Sequence, residues 1–219
     1  MRSIASAFGL VVALAGPPSV AAASLWLWGD RPTVSQSVLG QVALWALALA
    51  LLAVVRFWEG SSIYSIGLRS LRLRTPAIGV AIAAVLLYVA TPAGVWLVQA
   101  LGLPGFESGL SRLRALPMPV LVAAALTAGV VEELLYRGYA IERLTQLTGN
   151  APVGALLSLL AFSLAHLPFW GITTALFTFV AGTVLTVSYL WTRDLAANMI
   201  GHSLTALVQL AAVAGTLSA

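Results

Sequence analysis

The sequence predicts an all-α, polytopic membrane bundle of about seven or eight spanning helices, and three observations carry that prediction. Hydrophobic residues fill 60% of the 219 positions and charged residues only 8%, against roughly a half and a quarter in an ordinary soluble domain. Apolar runs approaching the roughly 20 residues that a helix needs to cross a bilayer recur along the chain. No segment shows the two-residue alternation of a half-buried strand.

The candidate spans, in order, are 4–27, 37–56, 77–101, 119–135, 152–168, 170–191 and 195–215. The first contains Gly16-Pro17-Pro18, a kink that neighbouring membrane helices can accommodate. A signal peptide competes for the same stretch, with Arg2 as its charged start, Ile4–Ala15 as its apolar middle and Ala21-Ala22-Ala23 as a small-residue cleavage site. The loop 57–76 carries Arg69, Arg72 and Arg74, with Arg56 at its edge. The positive-inside rule assigns it to the cytoplasm, and the N-terminus with it. Residues 102–118, with Gly102, Pro104, Gly105 and Pro117, read as an outer loop. Gly149-Asn150-Ala151-Pro152 ends one helix and starts the next. His166-Leu167-Pro168-Phe169-Trp170-Gly171 is a short turn that makes the fifth and sixth spans antiparallel neighbours, and Trp191, Arg193 and Asp194 mark a further membrane interface. No linker or repeat divides the chain, so 1–219 reads as a single membrane domain.

All eleven basic residues are arginine, against seven acids. Several of the arginines cluster just outside apolar runs, the pattern of topology-setting loop charges, so the high pI does not call for a nucleic-acid partner. The expected surroundings are the lipid bilayer, and the lysine-free composition points to a GC-rich bacterial genome and a bacterial plasma membrane. With no cysteine, disulfides and thiolate metal sites are excluded.

Five ionisable groups stand where the chain otherwise reads as membrane helix: Glu132, Glu133, Arg137, His166 and His202. A charge at a helix centre costs at least about 2.5 kcal/mol even on lenient insertion scales, so each needs a partner or a function. Glu133 and Arg137 are four apart with the acid on the N-terminal side, the favourable order for an ion pair, and they read as structural support. Glu132 points away from that pair. Phe162 lies one turn before His166 and can set its rotamer, and Asn198 precedes His202 by one turn and can hydrogen-bond on the same face. Glu132, His166 and His202 have no such local partner, and each lies on a different helix. One Glu and two His match the ligand set of a catalytic zinc site with an open position for water. The same groups suit metal-free work, the glutamate activating water while the histidines orient it or stabilise the oxyanion. The HExxH zinc signature is absent.

The three segments Glu132-Glu133…Arg137, Phe162…His166 and Asn198…His202 resemble the motifs of the CPBP intramembrane proteases, also called the Abi or CAAX-protease family. Ser65-Ile66-Gly67-Leu68-Arg69 also looks like a family element, so the resemblance spans about 60–210. It implies N-terminal helices in 1–59 and a CPBP/Abi-like catalytic core in 60–215. It further implies a peptide or membrane-protein substrate, Glu132 as the base that activates water, and His166 and His202 as its partners or as ligands of a divalent metal such as zinc. Glu133 and Arg137 would brace the first motif helix. The sequence departs from the family pattern at Ala206, where many members carry Asn or Asp; Asn198 is the amide that stands in the same helix. Two other classes compete: a proton-coupled transporter, which also uses intramembrane Glu, His and Arg, and a non-catalytic immunity or scaffolding member. The lack of an internal repeat argues against the transporter.

Overall fold

The computed structural model describes residues 2–69, 71–114 and 116–215, and the described residues form eight helices and no strand. We number them α1 (Arg2–Trp28), α2 (Val34–Trp58), α3 (Arg74–Ala100), α4 (Glu107–Arg114), α5 (Met118–Thr148), α6 (Ala151–Leu164), α7 (Leu167–Thr192) and α8 (Leu195–Gly215). A 3₁₀ turn, Ile63–Ile66, lies between α2 and α3. Six of the helices are long and apolar enough to cross a membrane. With the shorter apolar α6, they account for the seven expected spans.

Local sequence explains where these helices begin and bend. Thr33 opens α2 with a capping box, its hydroxyl accepting from the Gln36 N–H while the Gln36 side chain accepts from the Thr33 N–H. Asn150 caps α6 by accepting from the Val153 N–H, after Gly149 has closed α5 with a left-handed φ of 67°. Pro92 lacks an N–H and crowds the preceding turn, and just before it Leu86–Ala90 of α3 is wound as π-helix. Pro17 and Pro18 leave α1 helical throughout, with Ala5, Leu10 and Ala13 of that helix buried in the bundle.

Two expected boundaries differ. The expected span 119–135 is too short: α5 continues through Arg137 and Arg143 to Thr148. Both arginines are buried and each is paired, so the charges do not end the helix. The outer loop 102–118 contains α4, whose Arg112 donates to the Phe169 carbonyl of α7 and stacks on the Phe169 ring at 4.7 Å.

Close backbone approach sets the centre of the bundle. A Cβ on Gly79 of α3 would lie 2.6 Å from Ile200, and one on Gly201 of α8 would lie 2.6 Å from Ile82 and 2.9 Å from the Gly79 carbonyl. These glycines let α3 and α8 cross in contact, as small residues do between membrane helices. Gly129 of α5 faces the backbone of Ser203 on α8 in the same way, with a Cβ there only 2.6 Å from the Ser203 nitrogen. Helices α5 and α8 are thereby pressed together at the level of the two motif segments they carry.

Candidate active site

Helix α5 brings two adjacent carboxylates into the bundle along Ala128–Ala140, a stretch wound as π-helix. Such i→i+5 winding is rare and frequently found at functional sites, although Val54–Trp58 and Leu86–Ala90 are wound the same way. Glu133 is fully buried. Its Oε1 accepts from Arg137 Nη1 at 2.9 Å, the pair that the spacing predicts. The other guanidinium nitrogen, Nη2, donates to the Gly182 carbonyl of α7 at 3.2 Å, and the group lies over the Phe162 ring at 4.1 Å. Arg137 thus ties α5 to both α6 and α7.

Helix α8 completes the surroundings of Glu133. His202 Nδ1 sits 3.0 Å from Oε1, and Asn198 Nδ2 donates to Oε2 at 3.1 Å. This corrects the reading of His202 as a group without a partner: its partner is Glu133, 69 residues away in sequence, so helical spacing could not reveal it. His166 also has one, since its Nδ1 lies 2.9 Å from the Phe162 carbonyl oxygen, and the two rings meet edge to face at 5.0 Å. A carbonyl oxygen can only accept, so His166 carries its proton on Nδ1. His202 likewise points Nδ1–H at a carboxylate. Both imidazoles therefore keep Nε2 uncommitted to any described residue.

Glu132 is half-buried and makes no hydrogen bond or ion pair with a described residue. The Tyr136 hydroxyl, one turn further along α5, is buried with no protein partner, as is Asn198 Oδ1. Sequence reasoning did not single out Tyr136, although its place four residues after Glu132 was visible. The Asn198 amide also behaves differently from the role the family pattern offered it. Its nitrogen gives one N–H to Glu133 and another to the Leu185 carbonyl at 2.7 Å, leaving no donor for an oxyanion. In this structure Asn198 is a brace between α8, α5 and α7.

A divalent metal on Glu132, His166 and His202 was the other sequence-based expectation. Among the described residues, no group of three or more His, Asp or Glu side chains is arranged to hold an ion. The residues as placed do not fit a His₂Glu centre, and no step below runs through a metal.

A second polar cluster, missed in the sequence, lies towards the C-terminal end of α5. Glu59, just beyond α2, receives Arg143 Nη2 at 2.6 Å and Nε at 3.1 Å, the Tyr139 hydroxyl at 2.7 Å and the Ser6 hydroxyl of α1 at 2.8 Å. Burial pushes the Glu59 carboxyl up, but its hydrogen bonds from Arg143, Tyr139 and Ser6, with the Arg143 charge, reverse that and hold it below the usual carboxylate value. Nearby, Glu142 pairs with Arg193 and accepts from Tyr189 at 2.7 Å, and Asp194 accepts from Thr75 at 2.6 Å. Arg69, Arg72 and Arg74, the start of α1 and the ends of α5 and α7 therefore share one end of the bundle.

Residues 114–208 match the family model described as type II CAAX prenyl endopeptidase Rce1-like. That stretch contains all three motif segments, and the chain is an integral membrane protein. No curated protein and no solved structure matches the chain significantly.

Proposed function

We propose that this chain, a member of the CAAX-protease family over residues 114–208, is an intramembrane endopeptidase in which Glu132 activates the attacking water. The observation supporting this most directly is the division of labour on α5. Glu133 is committed to Arg137, His202 and Asn198, whereas the adjacent Glu132 has both oxygens uncommitted to any described residue.

In this reading the Glu132 carboxylate takes a proton from water as the oxygen attacks the scissile carbonyl carbon. His166 Nε2 accepts the second hydrogen of that water and orients it; its ring is fixed by the Phe162 carbonyl and the Phe162 face. The tetrahedral oxyanion needs a donor aimed at the position where charge develops. Ala206 offers none and Asn198 has spent both of its N–H groups. That role is assigned to the Nε2 edge of His202, which no described residue engages, while its Nδ1 stays on Glu133. Glu132 then returns its proton to the leaving amine as the C–N bond breaks. Shielding the reaction from bulk water strengthens each of these electrostatic contacts.

The substrate is a peptide or a membrane-protein segment reaching the site from the bilayer or the cytoplasm, with the membrane that of a bacterium and the N-terminus cytoplasmic. A peptide-library cleavage assay on reconstituted protein tests the assignment. Glu132→Gln is expected to lower kcat by about 10²–10⁴, the range of a lost general base, with the unfolding midpoint unchanged. Wild-type cleavage rates in Glu132→Gln would overturn it. Activity surviving exhaustive chelation is the expected result for the metal-free step, and loss restored by added zinc would refute that step.

A further inference from the structure

A cavity of about 650 Å³ lies between α3 and α7 at the arginine-rich end of the bundle. Arg69, Arg72 and Arg74 line one part of it, and none of their guanidinium groups makes a hydrogen bond or ion pair with a described residue. The apolar part runs along two turns of α3 through Ala77, Ala81 and Val85, facing Val184 of α7. At 1.5 Å per residue those turns make an apolar slot about 12 Å long. The other charged lining residues are already engaged: Arg193 pairs with Glu142, and Asp194 accepts from the Thr75 hydroxyl and the Ala197 N–H. Trp191, 87% exposed, stands beside the cavity as tryptophan does at a membrane–water boundary.

We infer that this cavity binds one anionic phospholipid, its phosphate held by Arg69, Arg72 and Arg74 and an acyl chain lying in the α3–α7 slot. Three uncommitted cations above an apolar slot match a headgroup with net negative charge attached to a hydrocarbon tail. A zwitterionic lipid would bring its own ammonium group into that same cluster. A free phosphate ion would leave the slot unfilled. The position also gives the lipid a mechanical hold on the centre of the bundle. Ile82, another lining residue, packs on Gly201 beside His202, and Leu185, next to Val184, supplies the carbonyl that holds Asn198. This inference does not depend on the protease reading, because its test does not use cleavage.

The test uses the full chain purified in a neutral detergent, with thermal unfolding followed as phosphatidylglycerol, phosphatidylcholine or inorganic phosphate is added, and with retained lipid counted by native mass spectrometry. Phosphatidylglycerol is expected to raise the unfolding midpoint and to remain as a single adduct, and the other two are not. Each arginine near an anionic headgroup contributes roughly fivefold in affinity, so the triple variant Arg69→Gln/Arg72→Gln/Arg74→Gln should lose most of the preference. Ala81→Trp keeps the charges and fills the slot, and should lose the adduct as well. An equal shift with phosphatidylcholine, an equal shift with phosphate, or a phosphatidylglycerol preference surviving in the triple variant would each overturn the site. Should the variants not fold, competition of the two lipids for the wild-type protein decides alone, and no preference would refute it.

Discussion

The two buried acid–arginine clusters on α5 differ in what they leave unused. At Glu59, Arg143, Tyr139 and Ser6 supply four donor groups, and both carboxylate oxygens are occupied from two helices. At Glu133 the carboxylate is equally engaged, yet around it remain the Nε2 atoms of two histidines, both oxygens of Glu132, the Tyr136 hydroxyl and Asn198 Oδ1. Among the described residues, the Glu59 cluster leaves no buried polar atom without a partner, as suits a clasp that holds structure. Unmatched polar atoms inside a membrane bundle are costly, and they persist where a water or a substrate makes use of them. Ion pairing alone therefore does not separate a clasp from a reaction centre; the surplus of donors and acceptors does.

That contrast can be broken most sharply by removing one arginine from each cluster. Arg143→Ala leaves the Glu59 carboxylate buried without its cation, and a loss of about 3–5 kcal/mol in unfolding free energy is expected, as for other broken buried pairs. The surviving folded fraction should cleave peptide at the wild-type rate per folded molecule. Arg137→Ala should lose stability by a similar amount and activity as well, because Arg137 also holds Phe162 and the Gly182 carbonyl. Equal activity losses in the two variants, measured per folded molecule, would erase the distinction.

A smaller effect is expected from Gly129→Ala. Its new methyl would meet the Ser203 backbone at 2.6 Å, where no flexible side chain can yield, so α5 and α8 must part. Overpacking of this kind costs about 1–3 kcal/mol. Since His202 adjoins Ser203, cleavage should fall by more than the loss of folded protein explains. An activity loss that merely tracks the folded fraction would show that this crossing does not position the histidine.

The smallest effect should come with pH. The Glu59 carboxyl is held below its ordinary value in the folded state, so its contribution is complete above the usual carboxylate range. It is lost as the pH falls through that range towards the folded-state value. Unfolding midpoints recorded from neutral to acid pH should decline more steeply in wild type than in Glu59→Gln. Parallel curves would mean that the clasp does not titrate as its donors require.

Much of the fold was legible because a membrane helix announces itself by length and apolarity, and the seven apolar segments stand where the runs lie. The Glu133–Arg137 pair was legible for a similar reason, being local to one helix. What stayed hidden depended on contacts between distant segments. Glu59 reads as a lone acid in a loop, and nothing near it in sequence points to Arg143, 84 residues on. His202 and Glu133 are similarly remote, so the histidine's tautomer could not be derived from spacing. Asn198 stands out in the sequence by its spacing from His202, but whether an amide braces or donates elsewhere depends on which groups it has already satisfied.

Helix α6 has only 14 residues, about 21 Å of rise against a hydrocarbon core of about 30 Å. Its outward face, with Val153, Leu156, Leu157, Leu160 and Leu164 exposed, is a low hydrophobic wall next to α5, a helix of 31 residues. Lipids along a wall too short for them respond by thinning, at a cost of a fraction of a kcal/mol per ångström. His166 lies just past the end of that wall. A wall this short favours a thinner bilayer on that side of the bundle than along the 31-residue α5.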